Sequence, residues 1–435
     1  MKITAVIAEY NPLHNGHVCH LDAIRRETGT DFIIAVISGD YVQRGGPAVI
    51  SKYERTRSVL KSGADLVLEL PLYYSTGSLE YFSRGAVSLI GKTGLCDCIS
   101  FGSECGDINL LKEAAAALDN EGGPDKDTVL NSLANGINYP NIMNRMTGLN
   151  DNARDLLRSP NNLLAVSYIR ASTFLGLDID HHTVKRFGSE YHDSSSGALS
   201  STALRDELLK AYGNSDTADD NSHCFKCPDT IKDRMPDDVF SSLCDHLYIN
   251  PPLCEDDFSM LLFYKVQQCL TSEGCCLTDF LDVSANIAGR LKNNCLKASS
   301  FTDLCKAIKS KDVAYSRISR ALLHILLDIT LKNMNEYIFD GYNYYLRVLG
   351  FKKDSKDLLH KLKKSSSVPI IVKTADAEST IRAHYMSDNQ DVNKCSHALR
   401  MFSEGLRATD LYNKTACFKN RQKFISEYEH PLIII

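Results

Sequence analysis

Residues 3–20 read ITAVIAEYNPLHNGHVCH, a stretch that predicts a buried strand, a tight turn and the start of a helix. The apolar run over residues 3–8 suits a central strand of a parallel sheet, and an Asn-Pro pair ends it. From His17 onward, apolar residues recur at helical spacing. His14 and His17 therefore lie where a strand meets a helix N-terminus, whose unpaired N–H groups and positive dipole end favour bound phosphate.

The H-x-G-H spacing of this turn also indicates phosphate chemistry, because Gly16 lets a phosphate approach the backbone closely. The same spacing after a first strand is typical of the nucleotidyltransferase superfamily. In that superfamily the two imidazoles contact the nucleotide phosphates and stabilise negative charge as pyrophosphate leaves. A pair of surface histidines in an ordinary turn is the alternative. The position directly after the first strand favours the catalytic interpretation.

Length and composition are those of an ordinary globular protein. The chain has 435 residues, of which 43% are hydrophobic and 24% charged, so we expect two or three domains. No apolar run approaches the ~20 residues of a membrane span, and the first 20 residues lack the features of a secretory signal. We therefore predict a cytoplasmic protein with no membrane partner.

Fifteen cysteines are scattered along the chain, and their odd number argues against a disulfide framework. One cluster could hold zinc, namely Cys224, Cys227, Cys244 and His246, with His223 beside it. Its second pair has C-x-H spacing, which is poor for tetrahedral coordination. We therefore predict reduced thiols and no metal site, although the sequence leaves zinc open.

Charge is distributed unevenly along the chain. Residues 1–300 hold 27 Lys and Arg against 39 Asp and Glu, whereas residues 301–435 hold 22 against 15, a net charge of +7. Because nucleic-acid affinity rests largely on neutralising phosphates, this asymmetry indicates that the C-terminal part meets a polyanion. A solvated basic face is the alternative.

The first half of the chain alternates strands and helices, which predicts an α/β fold with a Rossmann-like parallel sheet. Ligands of such sheets bind beyond the carboxyl ends of the strands, where the two histidines already lie. The predicted strands are residues 3–8, 32–37, 65–70, 98–101 and 182–187, and the predicted helices are residues 17–28, 51 onward, 78–90, 108–118 and 163–174.

Two cations follow the glycine-rich loop of residues 38–48. A helix begins near Ser51, and Lys52 and Arg55 near its start could help to hold a triphosphate. Exposed basic residues on a helix are more often only solvated, which is the alternative.

A second phosphate signature, LSSTALR, ends at Arg205. The hydroxyl groups of Ser201 and Thr202 can cap a helix, and its first turn would direct Arg205 towards an anion. The H-x-G-H turn and this helix start are more specific together than either alone. We therefore predict His14, His17 and Arg205 as catalytic residues, and Ser201 and Thr202 as possible phosphate contacts.

We expect the nucleotidyltransferase domain to span residues 1–212 and a mainly helical region to span residues 223–435, ending in a small α/β element. In the second region Arg317 and Arg320 are three residues apart, so they share a helix face and could bind nucleic-acid phosphate. Salt bridges to acidic neighbours are the alternative. The helical patterns cover residues 257–270, 286–297, 301–309 and 317–331, and the short strands of the terminal element cover 346–350 and 368–372.

With these pieces placed, the chain resembles the bacterial tRNA(Met) cytidine acetate ligase family along nearly its whole length. Leu13 stands where the family more often has Phe. The matching segments are residues 9–17 (EYNPLHNGH), 38–48 (SGDYVQRGGPA), 101–104 (FGSE), 159–162 (SPNN), 185–187 (KRF), 314–323 (AYSRISRALL) and 347–351 (RVLGF).

The resemblance implies an ATP-dependent ligase that activates acetate as acetyl-adenylate, releases pyrophosphate, and transfers the acetyl group to the exocyclic amine of the wobble cytidine of elongator tRNA(Met). It implies ATP as a substrate, with Mg²⁺, and tRNA as the polyanion that Arg317 and Arg320 would contact. The residues that it implies for ATP binding are Ile7, Ala8, Glu9, Tyr10, Asn11, Pro12, Leu13, His14, Asn15, Gly16, His17, Val18, Cys19, His20, Gly102, Asn161 and Arg186.

Two alternatives remain open from the residues alone. One is a nucleotidyltransferase that adenylylates a small phosphorylated metabolite, which would leave the basic helical half without a task. The other is a non-catalytic RNA-binding protein, which the presence of His14, His17 and Arg205 argues against.

Overall fold

The computed structural model describes residues 1–119, 151–186, 201–215, 225, 227–310, 313–387, 391–420 and 423–435. Its centre is an eight-stranded sheet in the order β10-β8-β5-β2-β1-β6-β7, with β9 also paired to β8. The strands of this sheet are β1 Ile3–Ala8, β2 Phe32–Ser38, β5 Leu66–Leu70, β6 Cys98–Ser103, β7 Asp180–Lys185, β8 Leu346–Phe351, β9 Ile370–Ile371 and β10 Ile433–Ile434, and a separate antiparallel hairpin pairs β3 Tyr41–Val42 with β4 Gly46–Pro47.

The strand that carries the H-x-G-H turn lies in the middle of the sheet. Strand β1 pairs in parallel with β2 on one side and with β6 on the other. The chain first builds outward from β1 through β2 and β5, and only then reaches β6, so a topological switch point lies between β1 and β6. Ligands of open α/β sheets bind at such a point, beyond the carboxyl ends of the strands.

Helices cover both halves of the described chain. Ser51 begins one of them as predicted, because its hydroxyl accepts the backbone N–H of Glu54 at 3.3 Å. In the first half they are α1 Asn15–Thr28, α2 Lys52–Lys61, α3 Leu72–Ser75, α4 Leu79–Thr93, α5 Ile108–Asp119, α6 Asp151–Arg158, α7 Pro160–Phe174 and α8 Ser201–Ser215. In the second half they are α9 Asp237–Ile249, α10 Ser259–Thr271, α11 Ala285–Asn294, α12 Phe301–Ile308, α13 Tyr315–Leu327, α14 Leu331–Phe339, α15 Lys356–Ser365, α16 Ala377–Ser387 and α17 Val392–Asn420.

The prediction of an α/β fold with a largely parallel sheet is confirmed, with differences at its edges. The fifth strand, β7, begins two residues earlier than predicted. The predicted helix over residues 317–331 ends at Leu327, because Asp328 adopts the left-handed conformation (φ 59°) and Thr330 caps the next helix. The 29-residue helix α17 was not predicted at all.

The larger difference is that the strands of the expected terminal element belong to the main sheet. Strand β8 pairs antiparallel with β5, so it extends the main sheet, and β9 and β10 pair in parallel with β8. The region 223–435 therefore contributes strands to the same sheet as the region 1–212. Among the described residues, no helix is both long and apolar enough to cross a membrane.

Candidate active site

Backbone hydrogen bonds fix both histidines of the turn between β1 and α1. His14 is the N-cap of α1, and its Nδ1 accepts the backbone N–H of Gly16 at 3.1 Å. The Nδ1 of His17 accepts the backbone N–H of His14 at 3.2 Å, and the two rings stack with centroids 3.9 Å apart. This arrangement is a capping box made of two imidazoles, so the turn and both rings hold one another in place.

The same hydrogen bonds determine what the histidines can offer a ligand. Because each Nδ1 accepts an N–H, a neutral ring must carry its proton on Nε2. Burial, together with the charge of Arg186, lowers the pKa of His14 to about 4. Burial, reinforced by His14 and Arg186, lowers the pKa of His17 well below its usual value. Both rings are therefore neutral at pH 7, and each provides one Nε2–H donor.

Helix α8 brings Arg205 to this turn, although 194 residues separate it from Asn11. The guanidinium donates to the backbone carbonyl of Asn11 at 2.8 Å and to the hydroxyl of Thr202 at 3.0 Å. The hydroxyl of Ser201 donates to the backbone carbonyl of Pro12 at 3.4 Å. The two predicted signatures thus meet, and Ser201 and Thr202 hold helix and arginine against the turn.

Gly102 lies in β6, next to the strand that carries the histidine turn, and Arg186 follows β7. The backbone N–H of Arg186 donates to the carbonyl of Ser103 at 2.9 Å, which places Arg186 at the end of β7. A Cβ on Gly102 would lie only 3.1 Å from Cγ of Arg186, so the absence of a side chain lets the arginine cross β6. The charge of Arg186 contributes to the lowered pKa values of His14 and His17, so it lies near the histidine pair.

Asn161 belongs to a hydrogen-bond network that joins the end of β6 to the start of α7. The carboxylate of Glu104 accepts the side-chain amide of Asn161 at 2.6 Å and the backbone N–H of Asn162 at 2.7 Å. In return, the side-chain oxygen of Asn162 accepts the backbone N–H of Glu104 at 2.9 Å. Glu104 therefore caps α7 and orients Asn161. It was missed as a site residue, although its position after a strand end was a usable signal.

A chain of hydrogen bonds leads from His20 to the surface. His20 Nε2 lies 3.0 Å from the Ser100 hydroxyl, which lies 3.0 Å from Nδ1 of His182. His182 Nε2 lies 3.2 Å from the carboxylate of Glu27. His182 also was not predicted, because only the pairing of β6 with β7 sets it beside Ser100. These hydrogen bonds fix the orientation of the His20 ring, three residues after His17.

The other residues predicted to bind ATP differ in how far their side chains are exposed. Tyr10 is buried and its ring lies edge-on to that of His17, with centroids 5.0 Å apart. Among the others, the buried side chains are Ile7, Asn11, Pro12 and Leu13, the half-buried ones are Ala8, Glu9, Asn15 and Val18, and Gly16 and Cys19 are exposed.

Comparison with known proteins agrees with this geometry. The family model described as HIGH Nucleotidyl Transferase matches residues 1–426. The tRNA(Met) cytidine acetate ligase of Thermoanaerobacter sp. is 34% identical over 442 residues, and that of Acetivibrio thermocellus is 30% identical over 443 residues, with 100% of each chain covered in both cases. The chain belongs to the tRNA(Met) cytidine acetate ligase family.

A solved member of this ligase family has the same fold. The crystal structure of Thermotoga maritima TmcAL bound with alpha-thio ATP superposes with a TM-score of 0.84 at 26% identity, and all of both chains is covered. The apo form of the same protein gives the same values. The resemblance seen in the sequence motifs is thereby confirmed.

Lys52 and Arg55 do not fit the phosphate role predicted for them. The side chain of Lys52 is 1% exposed, and its ammonium group lies 2.8 Å from Glu69 and 2.7 Å from Glu427. Burial acts to lower the pKa of Lys52, but these two carboxylates outweigh it and raise the pKa. We name Lys52, Glu69, Glu427 and Arg347 the buried charge cluster, since Arg347 pairs with both carboxylates.

Arg55 is fully buried and donates to backbone carbonyls in place of a ligand. Its guanidinium donates to the carbonyls of Glu9 and Ser38, both at 2.9 Å, and to that of Gly39. The prediction was wrong because an arginine so enclosed cannot reach a triphosphate without losing these bonds. Arg55 supports the site indirectly, since Glu9 precedes the histidine turn.

Arg317 and Arg320 were wrongly predicted to present both guanidinium groups to tRNA. Arg317 is 6% exposed, and Nε of Arg320 lies 2.8 Å from the carboxylate of Asp282. Burial acts to raise the pKa of Asp282, but Arg320, His324 and Arg317 together outweigh it and the pKa is lowered. Helix α13 also packs on the loop of residues 38–48, where a Cβ on Gly45 would collide with the backbone of Arg320.

We expect Arg320→Ala to reduce the free energy of unfolding by about 1–3 kcal/mol, because it leaves the carboxylate of Asp282 buried without its partner. Urea denaturation measures this loss. The salt dependence of tRNA binding should stay that of the wild type. A lower salt slope together with unchanged stability would restore the tRNA prediction for this residue.

The predicted cysteine cluster is only partly within the described residues. Cys227 is buried beside Cys244, and burial raises the pKa of both thiols. His246 lies at the end of α9, with its Nδ1 3.4 Å from the side-chain amide of Asn250. Cys224 and His223 lie outside the described residues. Within the described ranges, no group of three or more His, Cys, Asp or Glu is arranged to hold a metal ion.

Proposed function

We propose that the protein is an ATP-dependent ligase that acetylates the exocyclic amine of the wobble cytidine in elongator tRNA(Met), with acetate as the acetyl source. The observation that carries the proposal is the imidazole capping box at the N-terminus of α1, with Arg205 bonded to the same turn. Relatives named for this reaction match the whole chain.

ATP would lie across the switch point between β1 and β6. Its nucleoside would rest against Gly102, the open strand position beside Arg186, and its phosphates would meet the N-terminus of α1. This assignment uses the general preference of anions for helix N-termini, where backbone N–H groups are unpaired. Asn161, oriented by Glu104, would be a further polar contact on the nucleoside side.

In the first step, an oxygen of acetate attacks the α-phosphorus, a new P–O bond forms, and the bond to the pyrophosphate oxygen breaks. No nucleophilic side chain is required. His14 and His17 would donate Nε2–H hydrogen bonds to oxygens whose negative charge increases in the transition state, and Arg205 would add a positive charge there. Fixed donors of this kind are effective because they need no reorganisation during the reaction.

In the second step, the cytidine amine attacks the carbonyl carbon of acetyl-adenylate, the N–C bond forms, AMP leaves, and the amine loses a proton. Water must be kept from the mixed anhydride throughout. We propose that Mg²⁺ enters with ATP and is held mainly by phosphate oxygens, where it would shield their charge. A cytoplasmic location stays a prediction.

Incubation of the purified protein with ATP, radiolabelled acetate and an elongator tRNA(Met) transcript tests the proposal. We expect label in the tRNA that depends on ATP, and pyrophosphate release that depends on acetate. A transcript with uridine in place of the wobble cytidine should accept no label.

The same assay separates the alternatives. Adenylylation of a phosphorylated metabolite without any acetate-dependent exchange of pyrophosphate into ATP would contradict the ligase assignment. Binding of tRNA without either reaction would indicate a non-catalytic RNA-binding protein.

A further inference from the structure

A large cavity adjoins the active-site turn, and its lining includes neither Gly102 nor Arg186. Its volume is about 610 Å³, within the usual range of sites for small molecules and nucleotides. Asn11, Thr202 and Arg205 form the wall that it shares with the site. The opposite walls come from the loop between β2 and α2, through Val42, Arg44 and Pro47, and from the helical region, through Leu253, Glu255 and Tyr315.

The cavity is lined by two cations, Arg44 and Arg205. Arg44 is exposed, and the partners of the Arg205 guanidinium are the carbonyl of Asn11 and the hydroxyl of Thr202 rather than a carboxylate within ion-pair distance among the described residues. Both guanidinium groups line one cavity, and burial together with the charge of Arg44 lowers the pKa of Arg205. Such a pair favours an anion between or beside them.

Two carboxylates line the same cavity, the exposed Asp206 and the half-buried Glu255. Glu255 lies against Gly46, where an added Cβ would come within 2.8 Å of its carboxyl carbon. Glycine at this position therefore leaves room for the carboxylate between β4 and the helical region. Burial raises the pKa of Glu255. The positive charge of Arg205 opposes this rise, so the two groups, which line the same cavity, interact electrostatically.

The position of the cavity decides which substrate it suits. The nucleoside side of the proposed ATP site lies towards β6, whereas this cavity lies on the β2 side of β1, beyond Arg205. Acetate is far too small to require it. An enzyme that modifies a base needs a pocket for the extruded nucleotide beside the activated group, and it reads the base by hydrogen bonds to its edge.

Resting on the proposed function, we propose that this cavity receives the wobble cytidine. Arg44 contacts a backbone phosphate of the anticodon loop, and the carboxylate of Glu255 accepts a hydrogen bond from the exocyclic amine. A carboxylate pairs well with this amine, which is a donor, and poorly with the O4 of uridine, which is an acceptor. Glu255 thereby selects cytidine.

Binding of anticodon stem-loop RNAs with a wobble cytidine or uridine tests the assignment. Fluorescence anisotropy across a salt series would be measured for the wild type, Glu255→Gln, Arg44→Ala and the control Arg26→Ala. Arg26 is an exposed arginine on α1 whose carboxylate neighbour is the adjacent Glu27. Wild-type acetylation of the cytidine transcript is measured first, so that failure of the proposed function is recognised separately.

We expect the wild type to prefer the cytidine stem-loop by about tenfold, and Glu255→Gln to lose this preference because an amide can donate to uridine O4. Arg44→Ala should weaken binding of both RNAs and lower the salt slope by about one counterion, with Arg26→Ala unchanged. If the wild type acetylates tRNA while both variants keep its base preference and salt slope, the pocket assignment is wrong. Because Arg44 is exposed, its variant remains informative if Glu255→Gln does not fold.

Discussion

Replacing His17 with alanine is expected to slow acetate-dependent exchange of pyrophosphate into ATP by about 100- to 1,000-fold, the usual cost of losing one fixed donor to a transition state. His17 is held by the N–H of His14 and is neutral at pH 7, so its Nε2–H is aimed and available before ATP binds. Initial rates at saturating ATP and acetate measure the effect.

The same substitution also removes half of the capping box, so stability must be measured beside activity. Loss of a cap costs about 1 kcal/mol, which is too small to unfold an average domain. His360→Ala is the matched control, because His360 is an exposed histidine on α15. Near-normal exchange by a folded His17→Ala protein would refute the catalytic role.

Replacing Lys52 with methionine is expected to reduce the free energy of unfolding by about 3–5 kcal/mol, because it leaves Glu69 and Glu427 buried with too little positive charge. Methionine keeps most of the volume of the lysine stem, so the loss reports on charge more than on packing. Urea denaturation followed by circular dichroism measures it.

Arg382→Ala provides the comparison for the Lys52 variant. Arg382 pairs with Glu378 at 2.7 Å on the surface of α16, with both side chains more than half exposed, and such pairs contribute at most about 1 kcal/mol. A Lys52→Met protein with wild-type stability and a raised KM for ATP would instead support the original phosphate prediction.

The sequence predicted the site wherever the information is local. The strand, turn and helix of residues 3–28 follow one another, and the capping geometry of His14 and His17 depends on residues within four positions. The structure also places Arg205 at the turn, and its prediction used a local pattern, the hydroxyl-rich helix start. Their convergence required only that both lie at the carboxyl edge of one sheet.

The predictions that failed depend on contacts between residues that are distant in the sequence. In the sequence, Lys52 has the pattern of a solvated helix residue. Its partner Glu427 is 375 residues away, and nothing in the sequence around residue 52 predicts that contact. The same holds for β8, whose apolar residues suit any buried strand. Only the antiparallel pairing with β5 shows that β8 extends the main sheet. Glu104 and His182 were missed because their partners lie on neighbouring strands or helices.

The buried charge cluster has a consequence for how the protein is made. Thr409, which contacts the ammonium group of Lys52, lies 357 residues further along the chain, and Glu427 lies further still. Contacts between such distant residues form slowly, and a nascent chain cannot form these until its second half has left the ribosome. Before then the pair of Lys52 and Glu69 lacks Glu427 and Arg347, and Arg55, on the same helix as Lys52, anchors Glu9 beside the histidine turn. We therefore expect a chain that ends before residue 427 to be more susceptible to proteolysis than the full-length protein.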